Sequence, residues 1–315
     1  MAGDERNRGF AEVTLGEALK EATSRLRQAG VEEPRLEAEI LLAAVTGLTR
    51  PRLLARLHEP VGAENLRRYF RLVARRSRGY PLQYLTGRQE FMGLTFKVTS
   101  DVLIPRGDTE VLVEAVLDRV AGERPWRAAD VGTGSGAIAA SLAYYLPGAF
   151  IYALDISGAA LRVAAENARH LGVIDRICFL QGDLLEPLLG LQEVGRYGLD
   201  AVVANLPYIP TGELRRLPRE VRREPRAALD GGPDGLELYR RLLPQAAALL
   251  KPGGLLAVEI SPEQVGAMSR LAADLGDYTV EEIIEDYAGR PRCFLARRRE
   301  EDRPRAGPGE KLFSG

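Results

Sequence analysis

Cysteine is scarce: Cys178 and Cys293 are the only two in 315 residues, both inside apolar strand-like runs and neither in CxxC spacing. That excludes a disulfide framework and a zinc site built on cysteine pairs, and it fits a reduced interior. Histidine is equally rare, and His58 and His170 both fall in helical stretches, where surface or helix-end roles are expected rather than general-base roles. No apolar run approaches membrane-spanning length, and the opening Met1-Ala2-Gly3-Asp4-Glu5-Arg6 has neither the apolar core of a signal peptide nor the acid-poor character of a transit peptide. The expected setting is cytoplasmic, with no membrane contact. An excess of one charge is also lacking, since 43 Lys plus Arg stand against 44 Asp plus Glu. Without an overall basic field, no stable nucleic-acid partner is expected.

What is present suits one sizeable α/β domain and a smaller companion, with 45% hydrophobic residues. Residues 1–78 read as helical. Leu15, Ala18, Leu19, Ala22 and Leu26 recur at helical spacing, Pro34 opens a second helix that Gly47 closes, and Thr49 is a candidate N-cap before Pro51. Leu66, Tyr69, Phe70 and Val73 form the apolar face of a further helix, with Arg67, Arg68, Arg71, Arg75, Arg76 and Arg78 pointing elsewhere. That arginine face is read as solvated, with contact to an acidic partner or phosphates as the alternative. Residues 79–104 are read as a linker carrying a hairpin, Phe91 to Val98, that turns at Gly93. Residues 105–298 form the α/β domain, in which Lys251-Pro252-Gly253-Gly254 is a turn before the strand Leu255 to Ile260. Residues 299–315, charged and rich in Pro and Gly, are expected to be a disordered tail.

Within the α/β domain, Ala128-Ala129-Asp130-Val131-Gly132-Thr133-Gly134-Ser135-Gly136 reads as a short buried strand entering a glycine turn, followed by the helical run Ala137 to Tyr145. Such a turn lets backbone approach a ligand at a helix N-terminus. A second strand, Ile151 to Leu154, ends at Asp155 and Ile156, and an acid about 20 residues beyond the glycines is placed to accept hydrogen bonds from ribose hydroxyls. After the next strand, Ile177 to Leu180, come Gly182, Asp183 and Leu184, where Asp183 would bind an adenine amino group and Leu184 pack on the ring. Plainer roles compete: Asp130 as an anchor of the first turn rather than a contact to the ligand's amino acid moiety, and Asp155 and Asp183 as helix caps.

A fourth strand, Leu199 to Ala204, runs into Asn205-Leu206-Pro207-Tyr208. An Asn side-chain oxygen beside a backbone carbonyl offers two acceptors to the hydrogens of a planar NH2 group, on which an aromatic ring can stack. These four residues are the expected catalytic set, with the Leu206 side chain incidental and Pro207 holding residue 206 extended. The order of glycine turn, Asp155, Asp183 and Asn205 fits S-adenosylmethionine as cofactor, with no metal needed.

Other segments carry a resemblance: Pro81-Leu82-Gln83-Tyr84-Leu85-Thr86-Gly87, Glu90-Phe91, Val102-Leu103-Ile104-Pro105-Arg106, Asp108-Thr109-Glu110, Glu224-Pro225-Arg226-Ala227-Ala228-Leu229 and Gly231-Gly232-Pro233-Asp234-Gly235-Leu236. Through these the chain resembles the release-factor glutamine N5-methyltransferases of the HemK type, over nearly its whole length apart from the tail and the first dozen residues. The resemblance implies an S-adenosylmethionine-dependent, Rossmann-like α/β methyltransferase sheet with a small all-helical N-terminal domain that helps engage the release factor. It also implies that the substrates are peptide-chain release factors, the glutamine of their Gly-Gly-Gln loop entering the pocket; a monomer is expected. Two positions depart from the family pattern: Leu206 stands where the first of two prolines is usual, and Gly107 where a proline is common. An adenine-N6 methyltransferase acting on RNA or DNA is the alternative, since an exocyclic amine fits the same two acceptors after base flipping. A non-catalytic protein retaining the nucleotide fold is the third reading, against which Gly132, Asp155, Asn205 and Tyr208 argue.

Overall fold

Thr14 starts the first helix. Its hydroxyl accepts from the Glu17 N–H at 3.2 Å while the Glu17 carboxylate accepts from the Thr14 N–H at 2.8 Å, a reciprocal cap on α1 (Leu15–Gln28). The apolar positions anticipated there, Leu15, Ala18, Leu19, Ala22 and Leu26, are buried. Pro34 opens α2 (Pro34–Thr46), where its missing N–H would lack a partner anyway, and Gly47 closes it in the left-handed conformation. Thr49 occupies the cap position of α3 (Arg50–Ala55), although its side chain makes no capping hydrogen bond. In α4 (Ala63–Arg76), Tyr69 and Val73 are buried, and the Tyr69 hydroxyl donates to the Ala38 carbonyl at 2.9 Å, joining α4 to α2.

The arginine face of α4 departs from expectation at two positions. Arg76 is buried, paired with Glu37 of α2 and, at 2.7 Å, with Glu220. An isolated buried guanidinium is costly, so these two carboxylates are what allow it inside. Arg75 lies over the Tyr80 ring, 4.5 Å from its centre. Arg67, Arg68, Arg71 and Arg78 are exposed, as expected. Beyond α5 (Leu82–Thr86), a hairpin of β1 (Arg88–Phe91) and β2 (Leu94–Lys97) turns through Met92 and Gly93, both at positive φ, the geometry that matches strand twist.

The computed structural model describes residues 13–120 and 125–300, which divide into two compact units. The expected tail falls, from residue 301 onward, outside the described residues. One unit takes the chain up to residue 105 together with 212–229; the other takes 106–211 together with 230 onward. Segment 212–229, placed by sequence inside 105–298, is thus grouped with the helices. Besides Glu220 on Arg76, Arg223 lies 4.5 Å from the Tyr80 ring centre and the Glu224 carboxylate accepts from the Ile104 N–H at 3.0 Å.

The second unit opens with α6 (Gly107–Leu117) and continues as β3 (Trp126–Val131), α7 (Ala137–Tyr145), β4 (Ala149–Asp155), α8 (Gly158–His170), β5 (Ile177–Gln181), α9 (Glu186–Leu189), α10 (Gln192–Tyr197), β6 (Leu199–Ala204), α11 (Glu237–Leu249), β7 (Leu250–Glu259), α12 (Val265–Leu275), β8 (Tyr278–Glu285) and β9 (Pro291–Arg298). The strands form one seven-stranded sheet in the order β5-β4-β3-β6-β7-β9-β8, parallel from β5 to β7, with β9 antiparallel to both its neighbours. Strand β7 begins earlier than its sequence suggests: Lys251 to Gly254, read as a preceding turn, lie within it. A shift in its pairing with β6, between Leu199 and Ala201, accommodates the irregular Pro-Gly-Gly stretch.

From β3 the chain winds outward through β4 to β5, then returns to lay β6 and β7 on the other side of β3. A sheet wound both ways from one strand opens a crevice at the carboxyl ends where the direction changes. The register that pairs Val131 with Ala204 makes Gly132 and Asn205 leave the sheet side by side at that point.

Candidate active site

Asp130, in β3, is fully buried. Its Oδ2 accepts from Thr133 Oγ1 at 2.6 Å and from the Ala139 N–H at 3.0 Å, folding the glycine turn back onto the start of α7. Oδ1 has no hydrogen-bond partner. Burial pushes this carboxyl up to about 7 against the pull of those two bonds, and the nearby charge of Asp155 adds to the rise. The anchoring role anticipated for Asp130 therefore occupies one oxygen and leaves the other. Thr133 and Ser135 are buried as well, the Ser135 carbonyl accepting from Asn167 Nδ2 at 2.8 Å, while Gly136 sits at the N-cap of α7 in the left-handed conformation.

Asp155 ends β4 and joins two turns. Its Oδ2 accepts from the Gly134 N–H at 2.9 Å and its Oδ1 from the Ser157 N–H at 2.8 Å. Capping of α8 falls instead to Ser157, whose hydroxyl accepts from the Ala160 N–H. Burial raises the Asp155 carboxyl above the usual range, opposed by both backbone bonds. Ile156 beside it is 65% exposed, an apolar surface open to a flat ligand. The Gly182 N–H donates to the Asp155 carbonyl at 3.1 Å, seating Asp183 nearby with its carboxylate paired to Arg241. Leu184 holds the left-handed conformation at φ 50°, rare for a leucine, and its side chain is buried in the core.

Across the crevice, Asn205 and Tyr208 are half-buried. Asn205 Nδ2 donates to Thr109 Oγ1 at 2.9 Å, Thr109 donates to Glu259 Oε2 at 2.6 Å, and the Tyr208 hydroxyl donates to Glu259 Oε1 at 3.1 Å. Glu259 ends β7 and is buried, which raises its carboxyl; the Thr109 and Tyr208 hydroxyls and the charge of Arg292 pull it down. Arg292 is buried too, held by Asp108 and Asp286 at 3.1 Å each. Tyr208 is held in its neutral form by burial and by the charge of Glu259. Sequence reading placed Thr109 in a helix and Glu259 in a strand without linking either to this site. The available signal was an acid closing the otherwise apolar run Leu255 to Val258.

The Leu206 side chain has a task that sequence reading denied it: it is buried, and its Cδ2 lies 3.1 Å from where a Cβ on Gly132 would stand. Asn205-Leu206-Pro207-Tyr208 thereby packs directly on the cofactor-type turn. Its other side is backed by 231–235. A Cβ on Gly231 would fall 2.7 Å from the Pro207 carbonyl oxygen, and one on Gly235 would fall 2.2 Å from that of Tyr208. Gln264 Nε2 donates to the Tyr208 and Gly235 carbonyls at 3.0 Å each, tying the two segments together. No cluster of three or more His, Cys, Asp or Glu among the described residues is arranged to hold a metal ion.

A doubly wound sheet with a glycine turn, a strand-end acid and the Asn205-Leu206-Pro207-Tyr208 turn at its switch point has the architecture of an S-adenosylmethionine-dependent methyltransferase. The family described as "Methyltransferase domain" matches residues 126–285, and that described as "PrmC N-terminal domain" matches residues 17–87. A protein of Moorella thermoacetica named release factor glutamine methyltransferase is 61% identical over 289 residues, 92% of this chain and 100% of that one. One of the same name from Geobacter sulfurreducens is 46% identical over 250 residues, 78% of this chain and 84% of that one. The chain belongs to the release factor glutamine methyltransferase family. Among solved structures, the hMettl16 catalytic domain in complex with MAT2A 3'UTR hairpin 1 aligns with a TM-score of 0.52 at 16% identity, covering 76% of this chain and 82% of that one, a likeness of fold alone.

The residues present fit the cofactor of this class. The ammonium of S-adenosylmethionine would supply the donor that buried Asp130 Oδ1 lacks, and the open face of Ile156 next to Asp155 suits a nucleoside.

Proposed function

We propose that this chain methylates the side-chain amide nitrogen N5 of the glutamine in the Gly-Gly-Gln loop of peptide-chain release factors, with its N-terminal domain, residues 1–78, engaging the release factor. The observation that carries the reading is the tethered Asn205 amide at the switch point, whose Nδ2 is committed to Thr109. Its Oδ1 is then the edge available to a substrate NH2 group.

Asp130, Gly132, Thr133, Gly134, Ser135, Gly136, Asp155, Ile156, Asp183 and Leu184 hold S-adenosylmethionine in this proposal. When bound, that cofactor supplies an electrophilic sulfonium methyl group. A glutamine amide nitrogen is a poor nucleophile because its lone pair is delocalised into the carbonyl, so orientation must supply much of the rate. Asn205 Oδ1 and the Leu206 carbonyl accept its two N–H bonds, which fixes the nitrogen and draws electron density onto it. Tyr208 stacks on the amide plane, the far end of its ring anchored by the hydroxyl bond to Glu259. As the N–C bond forms the sulfonium–methyl bond would break, leaving S-adenosylhomocysteine, and one N–H proton would pass to solvent or a nearby acceptor.

Incubation with radiolabelled S-adenosylmethionine and either a release factor or ribosomal RNA tests this, with mass spectrometry of the Gly-Gly-Gln peptide. Label on the glutamine is expected; label on RNA adenine alone would replace the proposal with the base-modifying alternative. Asn205→Ala is expected to lose at least about 100-fold in turnover while binding cofactor normally.

A further inference from the structure

Three polar groups of the substrate-facing turn trace back to one buried residue. Glu259 closes β7 after the apolar run Leu255 to Val258 and is 2% exposed. Its Oε2 accepts from Thr109 Oγ1 at 2.6 Å, its Oε1 accepts from the Tyr208 hydroxyl at 3.1 Å, and its backbone carbonyl accepts from the Tyr239 hydroxyl. Burying a carboxylate is costly, and hydrophobic residues of similar volume would serve packing as well or better.

Proton counting shows what this arrangement specifies. A hydroxyl carries a single hydrogen, and that of Thr109 is spent on Glu259, so Thr109 presents only lone pairs to Asn205. The NH2 edge of Asn205 alone can face those lone pairs, as the 2.9 Å contact from Nδ2 records. The opposite edge, Oδ1, is thereby kept as the acceptor offered to substrate. Tyr239 obeys the same rule: its one hydrogen goes to the Glu259 carbonyl, while the Leu206 carbonyl stands 3.5 Å from its oxygen, at the limit of a hydrogen bond. Leu206 thus keeps acceptor capacity.

We infer that Glu259, acting through Thr109 on Asn205 and directly on Tyr208, is the positioning residue that fixes the polarity of the substrate site, making it an acceptor for a planar NH2 group. The inference rests on the role given above to Asn205, Leu206 and Tyr208. It explains why an acid is buried where a leucine would pack. A glutamine substituent at 259 would break the logic, because its own NH2 donates to Thr109, frees the threonine proton and lets the Asn205 amide turn over.

The test uses full-length enzyme, a whole release factor and four variants, with cofactor affinity measured by calorimetric titration for each. Glu259→Gln is expected to lose about 30-fold or more in kcat, with KM for release factor and cofactor affinity within about threefold of the parent. Thr109→Val, of similar shape but without the hydroxyl, is expected to lose about 10-fold or more, and Thr109→Ser to restore turnover to within about threefold. The double variant Glu259→Gln/Thr109→Val is expected to be no worse than its weaker parent by more than about threefold, since both act along one line. Parental kcat in folded Glu259→Gln, or equal loss in Thr109→Ser and Thr109→Val, would overturn the inference. If Glu259→Gln does not fold, the two threonine variants decide it on the same terms. Asn205→Ala separates the levels: an active Asn205→Ala removes the underlying reading of the turn, whereas an inactive one beside a fully active Glu259→Gln removes only the inference.

Discussion

The carbonyl oxygen of Tyr208 occupies the space that a side chain on Gly235 would need, 2.2 Å from an added Cβ, and Gly235 itself stands at φ +76°. Backbone and glycine are therefore locked together, which explains why 231–236 is so rich in glycine. Gly235→Ala is expected to push Tyr208 out of place and destabilise the protein by at least about 2 kcal/mol, through both the left-handed backbone and the clash. Thermal melting and turnover would read this together; an alanine variant with parental melting and activity would show that the segment is freer than its geometry.

Asp155 accepts two backbone N–H groups, so its removal has two effects. Asp155→Ala is expected to lower cofactor affinity by about 10-fold to 100-fold, the equivalent of one or two hydrogen bonds to a charged acceptor. It also leaves the Gly134 and Ser157 N–H groups without their acceptor, so a small fall in melting temperature should accompany it. Calorimetric titration checks the first effect, and unchanged affinity would remove Asp155 from the cofactor site.

Asp130 carries a pH signature. Its folded-state pKa of about 7 lies above the ordinary 3.8, so the ligand-free folded protein holds a proton that the unfolded chain has lost between those values. Stability contributed by this group is present at low pH and lost as pH rises toward 7. The melting temperature of the parent is expected to fall more between pH 5 and pH 7.5 than that of Asp130→Asn. Cofactor affinity is expected to move the other way, rising through the same range as the ionised carboxylate becomes available to an ammonium. Parallel melting profiles for parent and Asp130→Asn would contradict the assignment.

Leu206→Pro tests the departure from the family pattern. The carbonyl survives the change and Pro207 already favours an extended residue 206, so turnover within about threefold of the parent is expected. The buried leucine contact beneath Gly132 is lost, however, and a stability decrease of about 1 to 2 kcal/mol should follow. Denaturant titration beside steady-state kinetics separates the two outcomes. Collapse of turnover in a stable, cofactor-binding variant would mean that the leucine side chain itself shapes the site.

Much of this fold is legible because its signals are local. Helical spacing over Leu15 to Leu26, Gly47 and Pro34 as boundaries, and the short apolar runs that become β3 to β6 can each be read from a few neighbouring residues. Cofactor-type residues are legible for the same reason, since Asp130, the glycines and Asp155 sit at strand ends in a fixed order. What escapes is long-range. Thr109 and Glu259 are 150 residues apart, and nothing near either one announces the other. Arg76 reads as one arginine among five on α4 because its partner Glu220 lies in a loop between β6 and β7, 144 residues further along the chain. The early start of β7 is hidden by Pro252-Gly253-Gly254, which keep a turn-like backbone inside the strand: Gly253 stands at φ +74°, and pairing with β6 passes from Leu199–Leu250 straight to Ala201–Leu255.

The excursion of 212–229 into the helical unit bears on how the chain matures during synthesis. The buried guanidinium of Arg76 and the Ile104 N–H find Glu220 and Glu224 only after more than a hundred further residues have been made, the latter pair being 120 positions apart. Domains generally complete themselves as they emerge from the ribosome, N-terminal part first. Here the first unit to emerge is the one that must wait, carrying an incompletely compensated arginine until four strands of the following sheet and the crossing loop have appeared. Its vulnerable interval is therefore set by the length of chain that separates Arg76 from Glu220, most of it the first four strands of the sheet and their helices.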